Sequence, residues 1–357
     1  MLSEEENTAT NVEENKPRTT LPRYIYATVG TEFNLYYDSL ILSNDRGLAS
    51  PLNYQVEVIC DKGLAKERMY QITPVSGDIG TYTLTVNVYD KNKTIVETVI
   101  SSLIISDAIA PSSVKNILMV GDSLTASNTI TETVNANFTL LGSNVPVFWG
   151  TQGSSPNNHE GRGGWELYTF INNGSPFYNG GVLDIANYRS VLGMGTTKFD
   201  IVTVQLGVND CFRNVVQTVA QTAVIIANAK QLIDSFILDN ASSIVIIELP
   251  TIDGNTLGGW AQNYGSISPK NIYQKNIRSL REAILIEFDK DVYNLNVKVG
   301  VAGLGVDRFY GYPFIDASQS IRITQTEKTH TNALHPTSQG YKQIADAIYP
   351  QLLNAIQ

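Results

Sequence analysis

The hydrophobic rhythm of this chain changes once, near residue 107, and the change limits which architectures it can form. From Tyr24 to about Asp107 apolar residues recur at every second position. In TYTLTVNVYD, Tyr82, Leu84, Val86 and Val88 fall on one side, with Thr81, Thr83, Thr85 and Asn87 on the other, as in a half-buried strand. Asp90-Lys91-Asn92-Lys93 reads as a hairpin turn into TIVETVISSLII, and RYIYAT, EFNLYY and NYQVEVI supply further short strands. The expectation for residues 23–107 is a small all-β sandwich, antiparallel and immunoglobulin-like in type. SDAIAPSS, 106–113, reads as a connection, with the linker proper at 108–113.

From 114 to 357 apolar runs alternate with helical patterns. VKNILMVG, VPVFWG, FDIVTVQLG, SSIVIIELP and, less sharply, NVKVGVAGLGV read as buried strands. Ile277, Leu280, Ile284 and Phe288 recur at helical spacing, as do Tyr341, Ile344, Ala345 and Ile348 until Pro350 interrupts them. Parallel strands with crossover helices make a three-layer α/β domain, whose sites form beyond the carboxyl ends of the strands.

The 357 residues suffice for two such domains, each with its own core. A net charge of -9 with no Lys/Arg-rich stripe excludes a nucleic-acid binder. Residues 1–22 hold five glutamates and no periodicity, so a disordered acidic tail is expected there. That stretch lacks the basic and apolar regions of a secretory signal, and no run approaches the roughly 18 apolar residues of a membrane span. The expectation is cytoplasmic synthesis without general secretory export. Cys60 and Cys211 fall in different predicted domains, which argues against a disulfide, and Cys211 reads as a packed residue rather than a reactive thiol.

Four distant motifs carry chemistry. Gly121-Asp122-Ser123 ends the first strand of the α/β region; Gly121 and Asp122 suit a turn, and Ser123 suits either a helix cap or a nucleophile at a helix start. NHEGRGGW, 158–165, holds Gly163-Gly164, where a backbone N-H can approach a ligand with no side chain in the way. LGVND, 206–210, places the amide of Asn209 at a strand end. THTNALHPTSQGY, 329–341, carries His335 just before Pro336 and the last helix. Of the three histidines, His159 and His330 sit in polar stretches and read as surface or substrate-edge residues. No His/Cys/Asp cluster has metal-ligand spacing, so neither metal nor cofactor is expected.

In this order the motifs resemble the SGNH (GDSL-type) hydrolases, over roughly residues 115 to 355. The resemblance implies a flavodoxin-like α/β/α fold and ester hydrolysis, often of O-acetyl groups on sugars, through an acyl-enzyme. It makes Ser123 the nucleophile and His335 the general base. The N-H groups of Ser123 and Gly164, with the Asn209 side chain, become the oxyanion hole. The family's aspartate three residues before the histidine is Asn332 here, a third member without charge. A Ser-His dyad or a rebuilt triad is therefore expected, with Asp316 and Glu327 as candidate substitute carboxylates. Trp149, Trp165, Trp260, Tyr310 and Tyr312 fall near predicted strand-end loops, where rings commonly stack on sugars. Trp165, Asp122, His159 and Trp260 are the candidate substrate-binding residues, and the Gly/Asn/Ser-rich stretch 251–271 is a candidate rim loop. The leading expectation is a carbohydrate O-acetyl esterase acting on acetylated polysaccharide. A lipase or thioesterase of the same family, and a non-catalytic binding or structural protein retaining the fold, stand as alternatives. The charged N-terminal stretch and accessory sandwich also resemble esterase modules of bacteriophage tails, which implies assembly into a larger particle through the N-terminal region and action at a host surface.

Overall fold

A computed structural model describes residues 17–42, 54–254, 257–264, 268–291 and 296–357. Its centre is a parallel sheet in which Val147–Trp149, Asn116–Gly121, Ile201–Gln205, Ile244–Glu248 and Val297–Gly300 lie side by side in that order. In chain order this is 2-1-3-4-5, so the winding reverses between Asn116–Gly121 and Ile201–Gln205, where open α/β sheets bind ligands. The two-residue strand Glu160–Gly161 pairs in parallel with Val120–Gly121 and brings the glycine motif to that crevice. The strands are buried on both faces by helices, which is why Ile117, Leu118, Val120, Val202, Val204, Val245 and Ile246 form nearly unbroken apolar runs.

The helix Ser268–Phe288 buries Ile277, Leu280, Ile284 and Phe288, the spacing read from the sequence. The last helix, Ser338–Ile356, does not stop at Pro350 as expected but runs through it. Pro350 removes one backbone donor, yet Leu352, Leu353 and Ile356 beyond it remain buried, so tertiary packing outweighs the local loss.

Among the described residues the N-terminal region is all-β apart from two short helical turns, Tyr37–Leu40 and Ser76–Asp78. A four-stranded sheet orders Tyr24–Thr28, Ile95–Ser106, Gly80–Tyr89 and Gln55–Ile59, and a three-stranded sheet orders Phe33–Tyr36, Met69–Ile72 and Leu64–Ala65. The pairing is not antiparallel throughout: Tyr24–Thr28 runs parallel to Ser102–Ser106. Parallel neighbours need a long crossover, and almost the whole region lies between these two strands.

Of the expected tail, residues 1–16 lie outside the described residues. Residues 17–22 are not a tail: Arg18–Thr19 pairs with Ile41–Leu42, and Thr20 and Leu21 are buried. Their reason for packing is a buried seam with the α/β region. Arg281, wholly buried, donates to the carbonyls of Ser39 (2.6 Å), Pro250 (2.8 Å) and Gly303 (3.1 Å), and to Thr20 Oγ1. Arg308 donates to the Asp38 carbonyl at 3.0 Å while paired with Asp253 at 2.9 Å. The connection at 107–113 is held as well, since Gln357 Nε2 donates to the carbonyls of Asp107 and Ile109.

Candidate active site

Strand Asn116–Gly121 ends against a tight turn. A Cβ on Gly121 would come within 2.0 Å of Thr125 Oγ1, so only glycine fits there. Asp122, rather than Ser123, is the helix cap: its Oδ1 accepts from the Leu124 N-H at 2.9 Å, and its carboxyl is fully buried. Ser123 is thereby the first helical residue, with a half-buried hydroxyl and an N-H that has no partner among the described residues.

Ser123 Oγ lies 2.9 Å from His335 Nε2, although 212 residues separate the two in sequence. The segment carrying His335 is anchored along its length. Thr331 N-H donates to the Pro313 carbonyl and Gly254 N-H to the Ala333 carbonyl, both at 2.8 Å. Thr337 caps the following helix by accepting from Gly340 N-H. Burial holds the His335 pKa below its ordinary value, so the ring is neutral at neutral pH.

Asn332 is pinned differently from a triad carboxylate. Its Oδ1 accepts from the N-H groups of Leu334 and His335, both at 2.9 Å, which turns its NH2 toward His335 Nδ1 at 3.4 Å. The proposed stand-ins do not reach the imidazole. Asp316 is exposed and paired with Lys328 on the hairpin Phe314–His330, and Glu327 is exposed on its second strand. Register sets Asp316 opposite Lys328 and Glu327 opposite Ala317, so the two acids project from opposite faces of that hairpin.

Trp165 N-H donates to the Arg162 carbonyl at 3.2 Å, and Gly164 has φ +78, the signature of a type II turn over 162–165. A Cβ on Gly163 would stand 3.9 Å from Ser123 Cβ, so this turn passes beside the hydroxyl. Gly164 N-H has no partner among the described residues. Asn209, in the turn Val208–Cys211, donates through Nδ2 to the Trp165 carbonyl at 3.0 Å and keeps a second amide N-H. The structure thus gathers Ser123, His335, Asn332, Gly164 and Asn209 at the carboxyl ends of the central strands. Such a set can pass a serine proton to an imidazole and set N-H donors around a developing oxyanion.

Other candidates are placed elsewhere. Trp260 is wholly buried and gives its indole N-H to Asp253 at 2.8 Å, with its ring stacked on Phe212. The stretch 251–271 is largely helical, at Leu257–Tyr264 and from Ser268 onward, with residues 255–256 and 265–267 outside the described residues. Asp122 and His159 are likewise buried away from any substrate: Asp122 Oδ1 accepts from Leu124 N-H while its enclosed Oδ2 has no partner among the described residues, and both ring nitrogens of His159 are bonded. Tyr312 is buried and donates to the Ile252 carbonyl. His330 is buried against Phe309, and Trp149 donates to Asn116 Oδ1. Trp165 alone of the four candidate substrate contacts stays partly exposed at the turn, with the Arg162 guanidinium 4.8 Å from its ring centre. The sequence reading missed Asp210, whose Oδ2 accepts from Leu167 N-H, and Glu160, which holds Thr151 N-H, Tyr188 OH and Arg162. Their signal was present: both stand inside the quoted motifs as acids flanked by apolar or glycine neighbours.

A doubly covered parallel sheet with this set at its switch point defines a hydrolase of the three-layer α/β class. The chain belongs to the GDSL-like Lipase/Acylhydrolase family, which it matches over residues 117–348. Among solved structures it is similar to a carbohydrate esterase family 3 protein from Talaromyces cellulolyticus, at 20% identity over 68% of this chain and 98% of that one, TM-score 0.42. It is similar to an acetyl esterase mutant crystallised with acetate, at 18% identity, 68% and 98% coverage and TM-score 0.41. A lipase/acylhydrolase from Enterococcus faecalis is similar at 14% identity, 68% and 97% coverage and TM-score 0.39. No curated protein sequence matches the chain.

Proposed function

We propose that this hydrolase is a serine carbohydrate O-acetyl esterase, with Ser123 as nucleophile and His335 as base in a dyad. The observation that carries the reading is the 2.9 Å contact between Ser123 Oγ and His335 Nε2. The hydroxyl proton passes to Nε2 as Oγ attacks the acetyl carbon, and the oxyanion is received by the N-H groups of Ser123 and Gly164 and the free amide N-H of Asn209. His335 then returns the proton to the departing sugar oxygen, and water repeats the sequence on the acyl-enzyme. A small acyl group is favoured by the closeness of the glycine turn to Ser123. Two apolar grooves of about 890 and 410 Å³ follow the helix Val219–Asp239 and are not lined by Ser123 or His335. The partly exposed Trp165 supplies a ring for a sugar face.

Acetate release from O-acetylated polysaccharides tests the reading beside a p-nitrophenyl ester series of increasing chain length. Acetyl esters should turn over fastest, and Ser123→Ala and His335→Ala should each lose at least about a thousandfold. Undiminished hydrolysis by Ser123→Ala defeats it, and a preference for long acyl chains moves the assignment to a lipase. One observation favours a non-catalytic alternative, the Asn332 NH2 turned toward Nδ1. Failure of a fluorophosphonate probe to label Ser123 would select that alternative.

A further inference from the structure

The two segments that frame Ser123 are joined by His159, a residue with no part in the chemistry above. Its ring is 1% exposed. Nδ1 accepts from Gly161 N-H at 2.9 Å, so the proton of the neutral ring sits on Nε2, 2.6 Å from Asn128 Oδ1. Asn128 follows the short helix begun by Ser123 and is held at φ +65. Gly161 packs directly on that helix: a Cβ there would stand 2.4 Å from Ala126 N. One residue on, Arg162 N-H donates to the Gly121 carbonyl at 2.9 Å, and the glycine turn follows. Gly153 closes over the ring, where a Cβ would come within 3.0 Å of Nε2.

We propose that His159 is a positioning residue: as a neutral imidazole bonded at both nitrogens, it clamps the end of the Ser123 segment to the strand before the glycine turn. The clamp sets the register of Gly164 N-H against Ser123, so the inference rests on the esterase reading. A second ring proton would place an N-H at Nδ1 facing the Gly161 N-H, and two donors cannot bond. Glu160 is the charged group acting on the ring, and its carboxylate is already held by Thr151 N-H, Tyr188 OH and Arg162. The segments 125–128 and 150–153, which bring Asn128 and Gly153 to the ring, contain no titratable residue. Burial lowers the His159 pKa against the pull of Glu160, so the clamp is closed at neutral pH and opens in acid.

The test uses the full chain and p-nitrophenyl acetate. His159→Gln should lose about 10- to 100-fold in kcat with KM within about threefold, because a misplaced oxyanion donor acts in the transition state. The acid limb of log kcat/KM should steepen from a slope of about 1 toward about 2 in the wild type and return to about 1 in the variant. With three histidines in the chain, ¹⁵N-imidazole spectra of the wild type should show one ring in the Nε2-H form with Nδ1 accepting. Unchanged kcat in a folded His159→Gln, a wild-type slope that stays near 1, or an Nδ1-H form for His159 each overturns the proposal. If the variant does not fold, the wild-type slope and spectra decide alone. Loss of activity in Ser123→Ala with full activity in His159→Gln defeats the clamp and leaves the esterase reading standing.

Discussion

At the scale of single residues, Asn332 is the departure from a charged triad that bears most on the proposed reaction. With its Oδ1 committed to two backbone N-H groups and its NH2 toward Nδ1, it favours the imidazole form whose proton lies on Nε2, the one that cannot accept from serine. An aspartate there keeps both backbone bonds and gives Nδ1-H an anionic acceptor. In serine proteases the corresponding Asp-to-Asn change lowers kcat by about 10⁴, so Asn332→Asp should raise kcat by at least about tenfold, as steady-state rates on p-nitrophenyl acetate will read. Asp122 illustrates linkage. Burial first, and the nearby Asp210 charge, push its carboxyl up to about 7, while the unfolded chain has the ordinary value near 4. The folded state keeps a proton that the unfolded state gives up, so this group's contribution to stability falls as pH rises from about 4 to about 7. Asp122→Asn still caps the helix; melting temperatures of variant minus wild type should be more positive at pH 8 than at pH 5. The sites of Ser123, Gly164, Asn209 and His335 were legible because strand ends, glycine pairs and His-Pro before a helix are local backbone grammar. Trp260, His159 and Asp122 were not: whether a loop side chain turns inward depends on distant partners such as Phe212 and Asn128.

At the scale of elements, the glycine turn is the piece most exposed to a small change. A methyl on Gly164 meets no atom within 4 Å, so the penalty lies wholly in φ +78, which costs an L-residue about 1 kcal/mol or more. The cheaper type I turn flips the Gly163–Gly164 peptide and takes its N-H with it. Gly164→Ala should fold with nearly unchanged melting temperature and lose about 10- to 100-fold in kcat, a split that parallel thermal melts and kinetics will show. The strands and the helix Ser268–Phe288 were readable from periodicity. The last helix was misread at Pro350 since a broken backbone bond is visible in sequence whereas the burial of Leu352, Leu353 and Ile356 is not.

At the scale of the whole molecule, the two halves visible as a change of rhythm are not independent bodies. Charged residues from one half complete the backbone hydrogen bonding of the other, with Arg281 on Ser39 and Arg308 on Asp38, and nothing local in either segment announces it. Arg281→Met leaves three buried carbonyls without donors, so it should cost about 3 kcal/mol or more, measurable by urea denaturation. Residues 114–357 expressed alone should be poorly soluble for the same reason. The 212-residue separation between Ser123 and His335 carries a kinetic corollary. Contacts that span so much chain wait for nearly everything between them to be in place, so after dilution from denaturant secondary structure returns early and turnover is the last property to be regained.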